Sequence, residues 1–575
     1  MKKLLCYLKD YKKETVLGPL FKLLEASFEL FVPLVMAAII DVGIVNQDLP
    51  YILKMGGVLV ILAFIGFVCA VFAQFFAAKA AVGFAANVRK AIFDNIQKRT
   101  YSQMDSFGTS TMINRLTADV NQVQTGVNLV LRLFLRSPFI VFGAMIMAFT
   151  VDVKGALIFV VTIPLLAVVV FTILLVSIPL YKKVQNALDA VVTKTRENLT
   201  GIRVIRAFSM EEKEVADYDD KVAVYKHLQL FAGRVGAFMN PVTFTIVNVA
   251  TLFILWQGAG QVDTGVLTQG ELIALVNYMA QILVELIKLA NLIITVTRSL
   301  AGADRIADML EEKVGEENGG EAVEGVKEIT FRNVSFRYKN AGADALQNLS
   351  FTVKKGDIVG IIGGTGSGKT TLVNLAAGFY QATDGEVLVN GKALCDKDLA
   401  TYREHFSMVP QTAVLFSGTI KENLQWGKEN ATEEEMWHAL TLADAAEFTQ
   451  KKEKGLDSEV LQGGKNFSGG QRQRLSMARS FIKDADVFVL DDSTSALDYA
   501  TEARVRQGIR KLSEDSICFI VSQRAASIMD ADLILVLDNG ELVGKGVHKE
   551  LLADCSVYRE IYSSQFPLEE EVQHA

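Results

Sequence analysis

The chain has 575 residues, half of them hydrophobic, with 21% charged residues, a net charge of −7 and a mean hydropathy of +0.28. That is too apolar for an ordinary soluble chain of this length, and the acidic balance gives no reason to expect a nucleic-acid partner. Cys6, Cys69, Cys395, Cys518 and Cys555 have neither metal-ligand nor disulfide-framework spacing, so reduced thiols are expected.

In chain order, the opening Met1–Lys13 is basic, lacks an apolar core of its own and reads as an interfacial amphipathic helix rather than a cleaved signal. Long apolar stretches follow at about Val16–Ile40, Tyr51–Ala77, Val123–Val151, Leu157–Leu180, Phe238–Ala259 and Leu272–Val296. Each reaches the roughly 20 residues needed to cross a bilayer, which predicts six transmembrane helices. The long intervening segments, about Ala78–Gln122 and Tyr181–Gly236, hold most of the basic residues that lie between spans, including Arg89, Lys90, Arg115, Lys194 and Arg206. By the positive-inside bias these segments and both termini are cytoplasmic.

Ionisable residues within spans are costly and are pathway candidates: Glu25 and Glu29 one turn apart on the first, Arg132 and Arg136 on the third, and Glu285 on the sixth. Two readings stand open. The carboxylates face a cavity and hold a cationic amphiphile, or they pair with Arg132, Arg136 or Lys288 or lie at the water boundary. An acidic, glycine-bearing stretch over 311–325 separates the membrane domain, 1–310, from alternating strand and helix patterns over 326–567; an acidic tail, 568–575, follows and reads as disordered.

The second half opens its chemistry at Gly363-Gly364-Thr365-Gly366-Ser367-Gly368-Lys369-Thr370, a complete phosphate-loop pattern. It follows the apolar run Ile358–Ile362, a predicted buried strand, and leads into a helix beginning near Thr371. Glycines there let successive N–H groups curl around phosphates at a helix N-terminus; Lys369 reaches the outer phosphates and Thr370 is placed for Mg²⁺. The cofactors expected are therefore ATP and Mg²⁺. Farther on come Phe467-Ser468-Gly469-Gly470-Gln471, the apolar strand Val487–Leu490, and Asp491-Asp492 leading to Asp498.

This combination resembles the ATP-binding cassette family, and the resemblance extends over the whole chain as an exporter-type membrane domain fused to a cassette. It implies that Tyr338 stacks on adenine, Gln411 senses the γ-phosphate and metal, and Asp491 organises the Mg²⁺ shell. It also implies that Ser468–Gln471 face the ATP held by a second subunit, with Asp498 at that same dimer interface. In the family a short helix at the turn of each cytoplasmic hairpin lies in a cassette groove. The matching stretches here are Gly108–Asp119 and Glu197–Phe208.

Two positions depart from the family pattern. Asp492 stands where a glutamate normally polarises the attacking water, and Gln523 where a histidine normally precedes Arg524. Aspartate is as basic as glutamate but shorter, and a misplacement of about 1 Å can cost on the order of 100-fold. Gln523 can hydrogen-bond a phosphate but cannot supply a charge-assisted bond. The pattern resembles the degenerate-site subunit of a heterodimeric multidrug-type exporter, whose partner half-transporter brings the intact Glu and His. An active homodimer, a dedicated exporter of peptide, lipid or heme-like cargo, an exporter-like importer and a non-transporting ATP-binding regulator are the alternatives.

Overall fold

The computed structural model describes residues 2–315, 320–339 and 341–566. The tail 568–575 and part of the predicted linker lie outside the described residues. Two compact units emerge: residues 1–96 with 110–313, and residues 97–109 with 314–575.

Among the described residues six helices are long and apolar enough to cross a membrane: Lys3–Ile44, Leu49–Gln97, Thr109–Val151, Val153–Thr200, Glu211–Asp263 and Gln269–Glu311. Several run beyond 40 residues, about 60 Å at the α-helical rise, so they extend well past a hydrocarbon core of about 30 Å. Between helices, small residues let backbones approach. A Cβ at Gly270 would meet the Ala37 carbonyl oxygen at 2.3 Å, and the Gly270 N–H instead donates to Asp41 at 2.7 Å, tying the start of the sixth span to the end of the first. The opening segment is a 3₁₀ helix, Lys2–Tyr11, that packs against the protein: Leu4 is buried, and Asn87 donates to the Tyr7 carbonyl.

The third span is broken. Its helices Val120–Leu133 and Arg136–Val151 meet at a turn over Phe134 and Leu135. Pro138 stands four residues after Phe134, lacks an N–H and crowds that carbonyl, which accounts for the interruption.

The second unit is α/β. A six-stranded sheet runs in the order Glu541–Gly546, Leu533–Asp538, Ile358–Gly363, Ile517–Val521, Val487–Asp491, Phe406–Val409. All its pairings are parallel except that of the first two. A four-stranded antiparallel sheet, led by Leu346–Lys354 and Glu328–Phe336, packs beside it. Ile358–Gly363 and Val487–Asp491 are buried along their whole length, as expected for central parallel strands covered on both faces.

One expectation is corrected here. The short helix that joins the second unit is Tyr101–Phe107, not Gly108–Asp119, whose residues from Thr109 onward begin the third span. Thr100 and Gln103 form a capping box at its start, and Gly108, at φ 71°, ends it. The Tyr101 ring stacks on Phe379 at 4.4 Å, and the Tyr380 hydroxyl donates to Asp105 at 2.6 Å. Chain order alone assigns this segment to the domain 1–310; packing places it with the cassette. The other expected stretch, Glu197–Phe208, is the last turns of the long fourth-span helix, with Leu199, Val204 and Phe208 exposed.

Candidate nucleotide site

The phosphate loop lies between the Ile358–Gly363 strand and the Lys369–Ala376 helix. Gly368 caps that helix at φ 98°, and a Cβ there would meet the Ala345 carbonyl oxygen at 2.7 Å, so glycine is required on both counts. Gly364 and Gly366 face open space.

A cavity of about 320 Å³ opens over the loop. It brings together Tyr338, Thr365, Gly366, Gly368, Lys369, Thr370, Thr371, Gln411, Asp491, Asp492 and Gln523, drawn from positions as far apart as 338 and 523. The sheet explains the gathering: Asp491 ends one parallel strand, Gln523 follows the end of its neighbour, and the loop leaves the next. Ligand crevices of open α/β sheets form at such carboxyl ends. Gly363, Gly364 and Ser367 belong to the loop without lining the cavity, and Phe467–Gln471 and Asp498 line none of it.

The donor set fits a magnesium-bound nucleoside triphosphate. The Thr370 hydroxyl donates to both Asp491 oxygens at 3.1 and 3.0 Å, a pair of hard oxygen donors of the kind Mg²⁺ takes. The Lys369 ammonium donates to the Gly363 and Gly364 carbonyls at 2.9 and 2.7 Å, acceptors for which a phosphate would be a stronger, charged replacement. Burial lowers the Lys369 pKa, opposed by Asp492 and Asp491, and burial raises those of both aspartates. A bound polyanion offsets the first effect and a divalent cation the second.

Tyr338 stands edge-on to Phe336 at 4.8 Å and shares a hydrogen bond with Thr371 at 3.0 Å, which leaves its ring along the cavity wall. Asp492 takes the left-handed conformation, φ 46°, one that aspartate tolerates better than most residues. Its N–H donates to the Val521 carbonyl at 3.0 Å, Gln411 hydrogen-bonds its carboxylate, and Gln523 Nε2 approaches it at 3.5 Å. Both departures from the family pattern thus stand at one wall of one cavity.

The signature helix, Gly469–Phe481, begins with a capping box in which the Ser468 hydroxyl accepts from the Gln471 N–H at 3.3 Å. Phe467, which leads into that helix, is buried in the core, with the Lys452 ammonium 4.3 Å from its ring centre, so its role is packing. Asp498 caps the Tyr499–Ser513 helix, accepting from the Thr501 N–H at 2.9 Å.

One residue was missed in the sequence. Gln565, on the last helix, donates to the Gln523 carbonyl and accepts from the Ala525 N–H, both at 2.8 Å, and so clamps the segment carrying Gln523 from both sides. No local signal marks a glutamine 42 positions away as its partner.

In the membrane unit all three candidate carboxylates are paired. Lys22 donates to both oxygens of Glu25 at 2.8 and 2.6 Å. Arg136 bridges Glu29 at 2.7 Å and Glu285 at 2.5 Å, and Glu285 also accepts from Ser137 at 2.9 Å and Lys288 at 2.8 Å.

Residues 15–286 match the family described as the ABC transporter transmembrane region, and residues 346–495 match the ABC transporter domain. The chain is 37% identical to the ABC transporter ATP-binding protein YfiB of Bacillus subtilis, over 98% of this chain and 99% of that one. It is 30% identical to the putative multidrug export ATP-binding/permease protein YgaD of the same organism, over 98% and 99%. Among solved structures, a bacterial Atm1-family ABC exporter with ATP bound superposes with a TM-score of 0.81 at 22% identity, covering 97% of this chain and 99% of that one. With six spans ahead of a phosphate-loop cassette and this similarity along its length, the chain belongs to the ABC transporter family, as a half-transporter of exporter architecture.

Proposed function

We propose that this chain is one half of a heterodimeric ATP-driven exporter, whose own site binds ATP and Mg²⁺ but turns over slowly. The supporting observation is the wall formed by Asp492 and Gln523 beside an otherwise complete set of nucleotide ligands. Lys369 and the loop N–H groups bind and orient the triphosphate, and Thr370 and Asp491 hold the metal. Bound Mg²⁺ would neutralise phosphate charge. Burial makes Asp492 more basic, so basicity is not what it lacks; its carboxylate stops one methylene short of a glutamate's and is engaged by Gln411. Gln523 offers an amide N–H without a positive charge.

Ser468–Gln471, outside this cavity, would complete the site of a partner that carries its own Glu and His. ATP binding across the pair favours one arrangement of the spans, and hydrolysis at the partner's site releases it. The cassette would face the cytoplasm of a bacterial cell, and the cargo would be a hydrophobic or amphipathic compound, in keeping with the relative named as a multidrug exporter. The test is ATP hydrolysis by this chain alone and with the half-transporter encoded beside it. Activity only in the pair, abolished by Glu→Gln in the neighbour, supports the reading, and robust activity of this chain alone overturns it.

A further inference from the structure

The membrane unit contains a site whose chemistry is more specific than an apolar vestibule. A cavity of about 390 Å³ between the first and sixth spans is lined by Glu29, Val32, Met36, Gln281, Val284 and Lys288 among others. The four charges around it alternate: Glu29, Arg136, Glu285, Lys288. The inner two are sealed, with side chains only 7% and 3% exposed, whereas the outer two, Glu29 and Lys288, are 41% and 42% exposed.

Each outer group has one contact to the inner pair and capacity to spare. Glu29 spends one oxygen on Arg136, and Lys288 one donor on Glu285. The cavity therefore presents one available carboxylate and one available ammonium on a wall of zero net charge. Two further atoms are buried without a hydrogen-bond partner, Gln281 Oε1 in this cavity and Arg136 Nε, whose side chain lines an adjoining cavity of about 380 Å³ that shares Glu29 and Val32. One is an acceptor and one a donor. Buried polar atoms of this kind are rare in proteins because each forfeits its solvation.

A cation alone would leave this neutral wall with excess positive charge in a medium of low dielectric constant, and an anion alone the reverse. A ligand carrying both charges leaves neither. Val32, Met36 and Val284 supply apolar surface for an attached body. The break in the third span falls immediately before Arg136, where the freed backbone and the charge network share one place in the bundle.

We propose that this cavity binds a zwitterionic group, with its ammonium on Glu29 and Gln281 and its carboxylate or phosphate on Lys288. The inference rests on the export reading for its role as a cargo site, and it narrows the cargo to amphiphiles with a paired headgroup. Glu285 and Arg136 are positioning residues that hold the outer two apart, and Glu25, which lines the adjoining cavity, is already bound at both oxygens by Lys22.

The test is equilibrium binding to the full chain in nanodiscs, with whatever partner half co-purifies, in the absence of ATP. Three probes share one fluorescent tail and differ in headgroup: ammonium plus phosphate, ammonium alone, phosphate alone. The zwitterion is expected to bind about tenfold or more tightly than either single charge, the scale of one charge-assisted hydrogen bond. Glu29→Gln should abolish the advantage over the anion and Lys288→Gln the advantage over the cation, while the charge-keeping Lys288→Arg should retain the preference for the zwitterion. Lys194→Gln, whose ammonium pairs with Glu214 and Asp217 away from both cavities, should change nothing.

Equal binding of the three probes, or a preference within twofold of the original in both Glu29→Gln and Lys288→Gln, would overturn the proposal. Displacement by a tail-less zwitterion assigns a free solute, and its failure to displace assigns a membrane-held amphiphile. Because no ATP is used, failure of the pairing or transport reading leaves this binding result intact.

Discussion

Replacing Asp492 by glutamate tests the central argument about this chain's own site. The substitution adds one methylene, about 1.5 Å of reach, to a carboxylate already at the cavity wall beside Gln411 and Gln523. A displacement of about 1 Å costs on the order of 100-fold, and a general base contributes about 10²- to 10⁴-fold in total, so a gain of roughly 30- to 100-fold in turnover is expected. The backbone sets a cost. At φ 46° glutamate is less well tolerated than aspartate, and about 1 kcal/mol of strain would lower the melting temperature of a cassette this size by about 2–4 °C. The assay is vanadate-dependent trapping of a photoreactive ATP analogue on this chain, which reads its site whatever the partner's site does. Adding Gln523→His should raise trapping further and introduce a pH dependence centred near the ordinary histidine value of about 6.5. Trapping unchanged within threefold in the glutamate variant, with ATP affinity and folding intact, would refute the claim that reach limits the site.

Other expectations concern the rest of the molecule. Tyr101→Ala removes a ring stacked on Phe379, about 0.5–1.5 kcal/mol beyond area burial, and should lower cargo-stimulated hydrolysis in the assembled transporter while basal hydrolysis persists. Ser468→Ala should cost about 0.5–2 kcal/mol of stability through the lost helix cap, seen in denaturant melts, and should depress hydrolysis at the partner's site far more than ATP binding at this one. Lys392 and Lys397 hold the Glu321 carboxyl at about 2, so its stabilising contribution is present above the ordinary carboxylate range and is lost as pH falls toward 2. Glu321→Gln should flatten the pH dependence of acid unfolding of the full chain across that window, and an unchanged acid profile would show that the pairing contributes nothing.

Much of this protein could be read from its chain because the relevant physics is local. Spanning a bilayer requires an uninterrupted apolar length, and all six spans announce themselves by that length. A phosphate loop requires consecutive residues of one backbone shape, so Gly363–Thr370 identifies itself, as does the Ser468 to Gln471 capping box. The Thr100–Gln103 box was equally legible, and it places the cassette-bound helix at Tyr101–Phe107 rather than about two turns later. What folding alone decided lies between residues distant in the chain. Arg136 meets partners 107 and 149 positions away, and only helix packing selects Glu29 and Glu285 for it while leaving Glu25 to its own neighbour Lys22. Gln565 reaches Gln523 only because the last helix returns to the sheet. Apolar length and backbone shape are carried by neighbouring residues; the pairing of buried charges depends on which helix faces come together.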